Sequence, residues 1–528
     1  MITEQEVKDQ LEILNNSKPS GPDGVAPRIL RSVSQCLVSP LTLLFNQSLQ
    51  CGQLPYIWKR SHVTPVYKNK GVASDITNFR PIALTCVLCK MMEQIIVKHL
   101  HNYVLEHHII TEHQSGFQPK DSTVNQLVYI YNTIISNLDI GKDIRFIFCD
   151  ISKAFDRVWH TGLLYKLRKI GIDGNLLSWV TDYLDDRKQK VVLDGFSSGW
   201  EGIDAGVPQG SVLGPFLFLI YINDIVDDLD CNIKLFADDT SLYVIVDEQN
   251  YIQAADMLST DLSHIHNWSQ NWAIKFNPNK TESILFTRRN INNPPVYFGD
   301  MDNRVTDVNT HCHLGLDLQS NCKWGDYVSK IYKKACDRLK ILRMLKYQVD
   351  RNVLINIYLS FIRPILEYGN VIWDNCTQNE ANLLESVQVE AGRIITGLRV
   401  NSSRSKLYSE LGWEPLYKRR EKQKLILLYK IINGLTPDYM YDMIQPYTAN
   451  IHDYNLRQQI SGDTFRLPFC NTVSYSKNVI PCTLRLWNGL PASTKSSPSL
   501  NIFKTRLNSG TKIVDLISAK LSIKSNQC

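Results

Sequence analysis

Long hydrophobic runs are missing from these 528 residues. The longest, Gly214 to Ile222, falls far short of the roughly 18 residues a membrane span needs. The opening Met1-Ile-Thr-Glu-Gln-Glu-Val-Lys8 is polar and charged, unlike a secretory signal. These two features lead us to expect a soluble intracellular protein, nuclear or cytoplasmic, with no membrane partner. No fixed-period repeat or low-complexity tract stands out. The 13 cysteines are odd in number and irregularly spaced, so they read as reduced thiols rather than a disulfide framework. Cys86-Val-Leu-Cys89 has half the spacing of a zinc site, but no second CxxC follows and its apolar surroundings read as core. His311-Cys312-His313 is no stronger, because side chains alternate sides along a strand. Charge of one sign is in slight excess only. A net charge of +6 is compatible with a polyanionic partner without demonstrating one.

What is present suffices for about three domains, since 44% of the residues are apolar. The stretch that organises the rest is Phe236-Ala237-Asp238-Asp239. Asn232 to Leu235 before it and Thr240 to Ile245 after it are rich in β-branched and aliphatic residues, which favour strands. The local shape is therefore strand, tight turn, strand, with two adjacent carboxylates at the turn. Two neighbouring anions repel and require water or a cation. A solvated acidic turn is the plainer reading. The other is a site for magnesium, a hard cation that takes oxygen ligands.

A third carboxylate decides between them. Ile144-Arg-Phe-Ile-Phe-Cys-Asp150 reads as a strand ending in Asp150, where a ligand is rigidly placed. Asp156 competes for the role, although it falls at a probable helix start, where an aspartate is ordinary. Three carboxylates on two strand ends fit a phosphoryl transfer clamped by two metal ions about 4 Å apart. The segments Trp58–Lys68 and Asp75–Ile82 form a hairpin-like flap bearing Lys59, Arg60, Lys68, Lys70 and Arg80, suited to a polyphosphate. Ala205-Gly-Val-Pro208-Gln209-Gly210-Ser211 opens the apolar helix Val212–Ile225 and allows close backbone approach to a ligand. Lys280 sits in a turn before another strand. Helical segments are expected over Glu4–Leu14, Pro27–Gln50, Ala83–His107, Leu163–Leu184 and Tyr251–Trp272, and a short strand over His313–Leu318. From Trp324 onward, helices carry basic faces: Lys333, Lys334, Arg338, Lys340, Arg343 and Lys346, then Lys418-Arg419-Arg420 with Lys422 and Lys424. Each set reads either as a phosphate-tracking surface or as the solvated face of an amphipathic helix.

The set Asp150-x4-Phe155-Asp156, Pro208-Gln209-Gly210, Phe236-Ala-Asp-Asp239 and Asn279-Lys280-Thr281-Glu282, in this order, resembles a reverse transcriptase. Asn78-Phe-Arg-Pro-Ile-Ala-Leu84 and Lys18-Pro-Ser-Gly-Pro-Asp-Gly24 resemble the non-LTR, LINE-type branch and its jockey-like elements. The likeness is specific from about residue 15 to 320. It continues loosely through Phe361–Tyr368, Ile394–Gly397 and Leu486–Pro491.

This resemblance implies an α+β right-hand polymerase with fingers, a palm with an antiparallel sheet, a helical thumb and a C-terminal extension. The expected divisions are 1–50 leading into the fingers, 51–318 fingers and palm, 319–400 thumb-like, and 401–528 of unknown role. The resemblance makes Asp150, Asp238 and Asp239 the ligands of two catalytic Mg2+ ions, with Mn2+ a substitute. Lys68 and Arg80 would grip the incoming triphosphate. Phe155 would stand under the sugar and favour dNTPs, Gln209 and Gly210 would line the nucleotide and template pocket, and Lys280 would serve as a general acid near the leaving pyrophosphate. The implied partners are an RNA template, a DNA primer or target DNA, and dNTPs. Members of this branch usually carry an upstream endonuclease domain. Met1 stands almost at the fingers, so nicking is expected to come from another chain. No zinc-knuckle set and no convincing RNase H carboxylate set is evident. The alternative to an active polymerase is a catalytically silent nucleic-acid-binding remnant of a truncated element.

Overall fold

The computed structural model describes residues 1–509 apart from 70, 248–249, 301, 400 and 446–463. Lys70, expected on the basic flap, lies outside the described residues. Two sheets carry the architecture. The first runs in the order β2 (Phe79–Leu84), β1 (Arg60–Tyr67), β4 (Arg187–Leu193), β5 (Phe196–Ser197), with β6 (Glu201–Ile203) also on β4. β1 and β2 are antiparallel, whereas β1 and β4 are parallel. The second runs β10 (Thr306–Asp307), β9 (Glu282–Phe286), β3 (Asp143–Cys149), β8 (Asp239–Val246), β7 (Asn232–Phe236). Its four long strands are antiparallel neighbours.

Every residue of β3 is buried. That explains its lack of a polar face: a strand covered on both sides has no solvent-facing positions to fill. Ile144, Phe146 and Phe148 join the apolar cluster that includes the Thr123–Asp139 helix. Ile147 and Cys149 join the opposite cluster, with the Leu213–Ile222 and Val87–Glu106 helices. Arg145 is tolerated within β3 because its guanidinium donates to Ser283 Oγ at 3.0 Å, the Pro294 carbonyl at 2.7 Å and Asp307 Oδ1 at 2.9 Å. The cluster behind β3 also takes in helices Gly325–Leu345, Gln378–Thr396, Leu416–Ile432, Val479–Asn488 and Leu500–Ser509. The basic helical region and the segment after residue 401 thus share one core with the back of the sheet. Among the described residues, no helix is long and apolar enough to cross a membrane.

Three sequence expectations are corrected in detail. The helix expected over Leu163–Leu184 is two, His160–Lys169 and Gly174–Leu184, because Gly171 between them and Gly174 at the second start adopt φ of +90° and +56°. The stretch Pro27–Gln50 likewise divides into Pro27–Ser32 and Ser34–Cys51 at Val33. The strand expected over His313–Leu318 is a hairpin of β11 (Thr310–His313) and β12 (Leu316–Gln319), turned by left-handed Leu314 and Gly315.

His311 and His313, two apart on β11, pack on one face against Phe148 at centroid distances of 4.0 and 4.8 Å. His313 is 3% exposed and its Nε2 has no hydrogen-bond partner. Burial, and next the neighbouring His311, pull its pKa down to about 3. The folded state therefore favours neutral His313. Its contribution is intact above the unfolded pKa of 6.5 and is lost as pH falls towards 3. We expect His313 to lower stability by roughly 2 kcal/mol between pH 6.5 and 5, at about 1.4 kcal/mol per unit. A urea titration at both pH values reads this, and His313→Leu should shrink the difference by that amount. An unchanged difference would show that His313 titrates alike in the folded and unfolded states.

Candidate active site

β7 and β8 are joined by Ala237 and Asp238, with Phe236 opposite Asp239. Ala237 has φ +55°, the left-handed conformation a non-glycine residue adopts at a cost of roughly 1–2 kcal/mol. β3 lies against β8 with Cys149 opposite Thr240. One further step along that register brings Asp150 opposite Asp239. β3 is also extended beyond Asp150 by the segment before β9: Asn277 donates its backbone N–H to the Asp150 carbonyl at 2.9 Å, and Ser152 does the same to Lys275 at 2.8 Å. The chain around Asp150 is thus pinned from both sides, and strand register places Asp150 across from Asp239, next to Asp238.

Their electrostatics reflect that gathering. Asp239 is an exposed residue, yet the protein around it strips hydration from its carboxyl. Its pKa is pushed up to about 6, first by desolvation, then by the Asp238 and Asp150 carboxylates. Asp238 is raised chiefly by desolvation and further by Asp150, against the lowering effect of its own backbone N–H and of Arg80. Lys280 Nζ lies 3.3 Å from Asp150 Oδ2, a cation beside the third carboxylate. Among the described residues no group of three or more His, Cys, Asp or Glu side chains is gathered closely enough to hold a metal ion. Asp150 raises the proton affinity of both Asp238 and Asp239, and one ammonium group lies beside Asp150. A set of hard carboxylate oxygens short of positive charge fits a divalent cation such as magnesium.

The remaining candidates surround this point unequally. Arg80, on β2, is exposed and acts electrostatically on Asp238. Lys68 is exposed just beyond β1 and donates from Nζ to the Thr77 carbonyl at 2.9 Å; desolvation raises the pKa of Asp156, and Lys153, Arg157 and Lys68 only partly offset it. Phe155 lies in the 3-10 turn Ala154–Arg157, stacked on Phe218 at 4.9 Å and edge-on to Phe117 at 6.3 Å. Its carbonyl accepts from Val207 N at 2.8 Å, which ties the Phe155 turn to the loop bearing Gln209. The Gln209 carbonyl accepts from Ala83 N at 2.7 Å, and a Cβ on Gly210 would stand 2.5 Å from the Ala83 carbonyl oxygen. Gly210 is therefore required where the loop meets the base of β2.

Lys59 does not belong to this surface. It is buried, with Nζ 2.8 Å from Asp182 Oδ1. Arg60 lies over the rings of Tyr56 and Trp200.

Sequence reasoning missed two supports. Glu93, fully buried, accepts from the backbone N–H groups of Val212 at 2.7 Å and Leu213 at 2.9 Å, which fixes the start of the Leu213–Ile222 helix. A lone acid on the buried face of Val87–Glu106, with Cys89, Met92 and Ile96, was the available signal. The second is the loop His113-Gln-Ser-Gly-Phe117, whose backbone pairs with β7: Leu235 N donates to the His113 carbonyl at 2.9 Å and Ser115 N to the Leu235 carbonyl at 2.8 Å. Nothing in its composition sets it apart from an ordinary polar turn.

Residues 67–322 match the family model described as reverse transcriptase (RNA-dependent DNA polymerase). This stretch is a reverse transcriptase domain. It contains β2, β3 and the β7–β8 turn with Asp150, Asp238 and Asp239. The chain is similar to the RNA-directed DNA polymerase from mobile element jockey of Drosophila melanogaster, 30% identical over 75% of this chain and 44% of that protein. A probable RNA-directed DNA polymerase from transposon BS of the same species is 28% identical over 75% of this chain and 44% of its own length. The Pol polyprotein from type-1 retrotransposable element R1 of Bradysia coprophila is 23% identical over 82% of this chain and 43% of its own. The chain spans less than half the length of these curated relatives.

Proposed function

We propose that this chain is an RNA-directed DNA polymerase of a non-LTR retrotransposon, which extends a primer 3′-hydroxyl along an RNA template with dNTPs. The observation that carries the reading is the meeting of Asp150 with Asp238 and Asp239 across the β3–β8 register. In this reading the sheet centred on β3 is the palm, the sheet of β1, β2 and β4 belongs to the fingers, and Gly325–Leu345 begins the thumb. The divisions remain 1–50, 51–318, 319–400 and 401–528.

Asp150, Asp238 and Asp239 would hold two magnesium ions. Bound there, such ions supply activation of the attacking hydroxyl and neutralisation of the leaving phosphate oxygen. The chain's own residues position the reactants. Arg80, which already acts on Asp238, and Lys68 grip the triphosphate. Phe155, held by its stack on Phe218, presents a wall beneath the sugar that a 2′-hydroxyl would strike. Gln209 and Gly210 line the pocket for the nucleotide and template. Lys280 gives a proton to the departing pyrophosphate. The exposed Lys333, Lys334, Lys340 and Arg343 face an RNA–DNA hybrid.

Primer extension on a primed RNA template with magnesium and dNTPs tests the reading, with Asp238→Ala beside the wild type. Synthesis by the wild type alone is the expected result. No synthesis by the wild type, under conditions where a known reverse transcriptase works, would reject it.

A further inference from the structure

We propose that Gln114 is a positioning residue for polymerisation: its side-chain oxygen holds the Ala237 turn in the left-handed shape that presents Asp238 and Asp239 to Asp150. The inference rests on the polymerase reading above.

The turn needs a holder. Two-residue hairpin turns with positive φ at their first central position favour glycine there. This one has alanine, at φ +55°. Gln114 Oε1 accepts the Ala237 N–H at 2.9 Å and, from its own loop, the Gly116 N–H at 2.7 Å. Both partners are backbone donors, so the amide must present its oxygen to them. Gln114 is only 6% exposed and touches the carboxylates through Ala237 rather than directly. The acceptor is itself fixed. Residues 113–115 add to β7 as a short parallel strand, with Gln114 opposite Leu235. Gly116 then closes over the turn so tightly that a Cβ would lie 2.2 Å from the Ala237 nitrogen. A side chain clamped between loop and turn makes a rigid bracket, and the turn's shape sets where the next two residues point.

A displacement of about 1 Å in a reacting constellation can cost roughly a hundredfold in rate. Gln114→Met keeps the length and bulk of the side chain and removes the acceptor. In single-nucleotide incorporation on primed RNA with magnesium, it is expected to lower kcat about a hundredfold and to leave the dNTP KM within twofold. Ala237→Gly supplies the decisive background, because glycine accepts positive φ without help. There, Gln114→Met should cost less than about tenfold, a coupling that a merely structural role would not produce. Equal losses in both backgrounds, or no loss beside Ala237, overturn the proposal. If Gln114→Met fails to fold, Gln114→Glu, which keeps an oxygen towards both N–H groups, is expected within about tenfold of wild type. A hundredfold loss in that variant overturns the proposal as well. A wild type that makes no DNA defeats the polymerase reading itself. An active wild type matched by Gln114→Met defeats only the positioning role.

Discussion

Asp239→Asn is expected to lower primer extension about a thousandfold while leaving the metal-free protein at least as stable as the wild type. The two effects have one cause. Asp239 is desolvated and faces Asp238 and Asp150, so its carboxyl is pushed up to about 6. Removing one of three mutually repelling charges relieves the fold, and asparagine still fills the turn. The same removal deletes a hard oxygen anion from the set that fits magnesium, and loss of a preorganised charge of this kind costs on the order of 4 kcal/mol in the transition state. Thermal melts separate the effects. Magnesium at about 100 times its dissociation constant should stabilise the wild type by roughly 2.7 kcal/mol. The variant should show a much smaller rise. A variant that melts well below the wild type in EDTA would mean its inactivity is a folding defect, and an equal magnesium response would remove Asp239 from the metal site.

The carboxylates could be found in the sequence because each is marked by local context. Asp150 follows a run of residues that can only be a buried strand, and Asp238-Asp239 interrupts two such runs at a tight turn. Strand pairing then did what spacing alone could not show, and set β3 beside β8 in a register that brings the three together. Lys280 was placed in a turn by its sequence and given a role only by the resemblance; its approach to Asp150, where the turn before β9 lies next to the end of β3, is visible only in the fold. The supports were not legible. Gln114 acts through an oxygen on a backbone N–H more than 120 positions away, and no periodicity reports such a contact. Lys59 shows the converse failure. Its neighbours suggested a basic flap, yet the 3-10 turn Tyr56–Lys59 points it inward to Asp182. Continuous apolar patterns hid two helix breaks, one at glycines 171 and 174 and one at Val33.

The largest stability effect is expected at Asp374, where the second basic run takes neither of its sequence readings. Lys418 to Lys424 suggested a phosphate track or a solvated helix face, but Arg420 and Lys424 are 3% and 2% exposed. Both meet Asp374: Arg420 through Nε to Oδ1, and Lys424 Nζ to Oδ2 at 2.5 Å. Burial alone would lower the pKa of Lys424, and the adjacent Asp374 outweighs it and raises the value. Arg419 and Lys422 are likewise paired, with Glu367 and with Glu414. The acids at 367 and 374 lie about 50 residues away in sequence, so helical spacing could not reveal them. Asp374→Ala would strand two buried cations around one lost anion. Removing one partner of a buried pair typically costs about 3–5 kcal/mol. We expect a loss of that size in urea unfolding, whereas Asp374→Leu combined with Arg420→Met and Lys424→Met should return close to wild type, since apolar replacement of a buried ion cluster is often neutral. A shift below about 1 kcal/mol in Asp374→Ala would mean the two cations reach water. The segment 418–424 would then return to the candidate phosphate-binding surfaces.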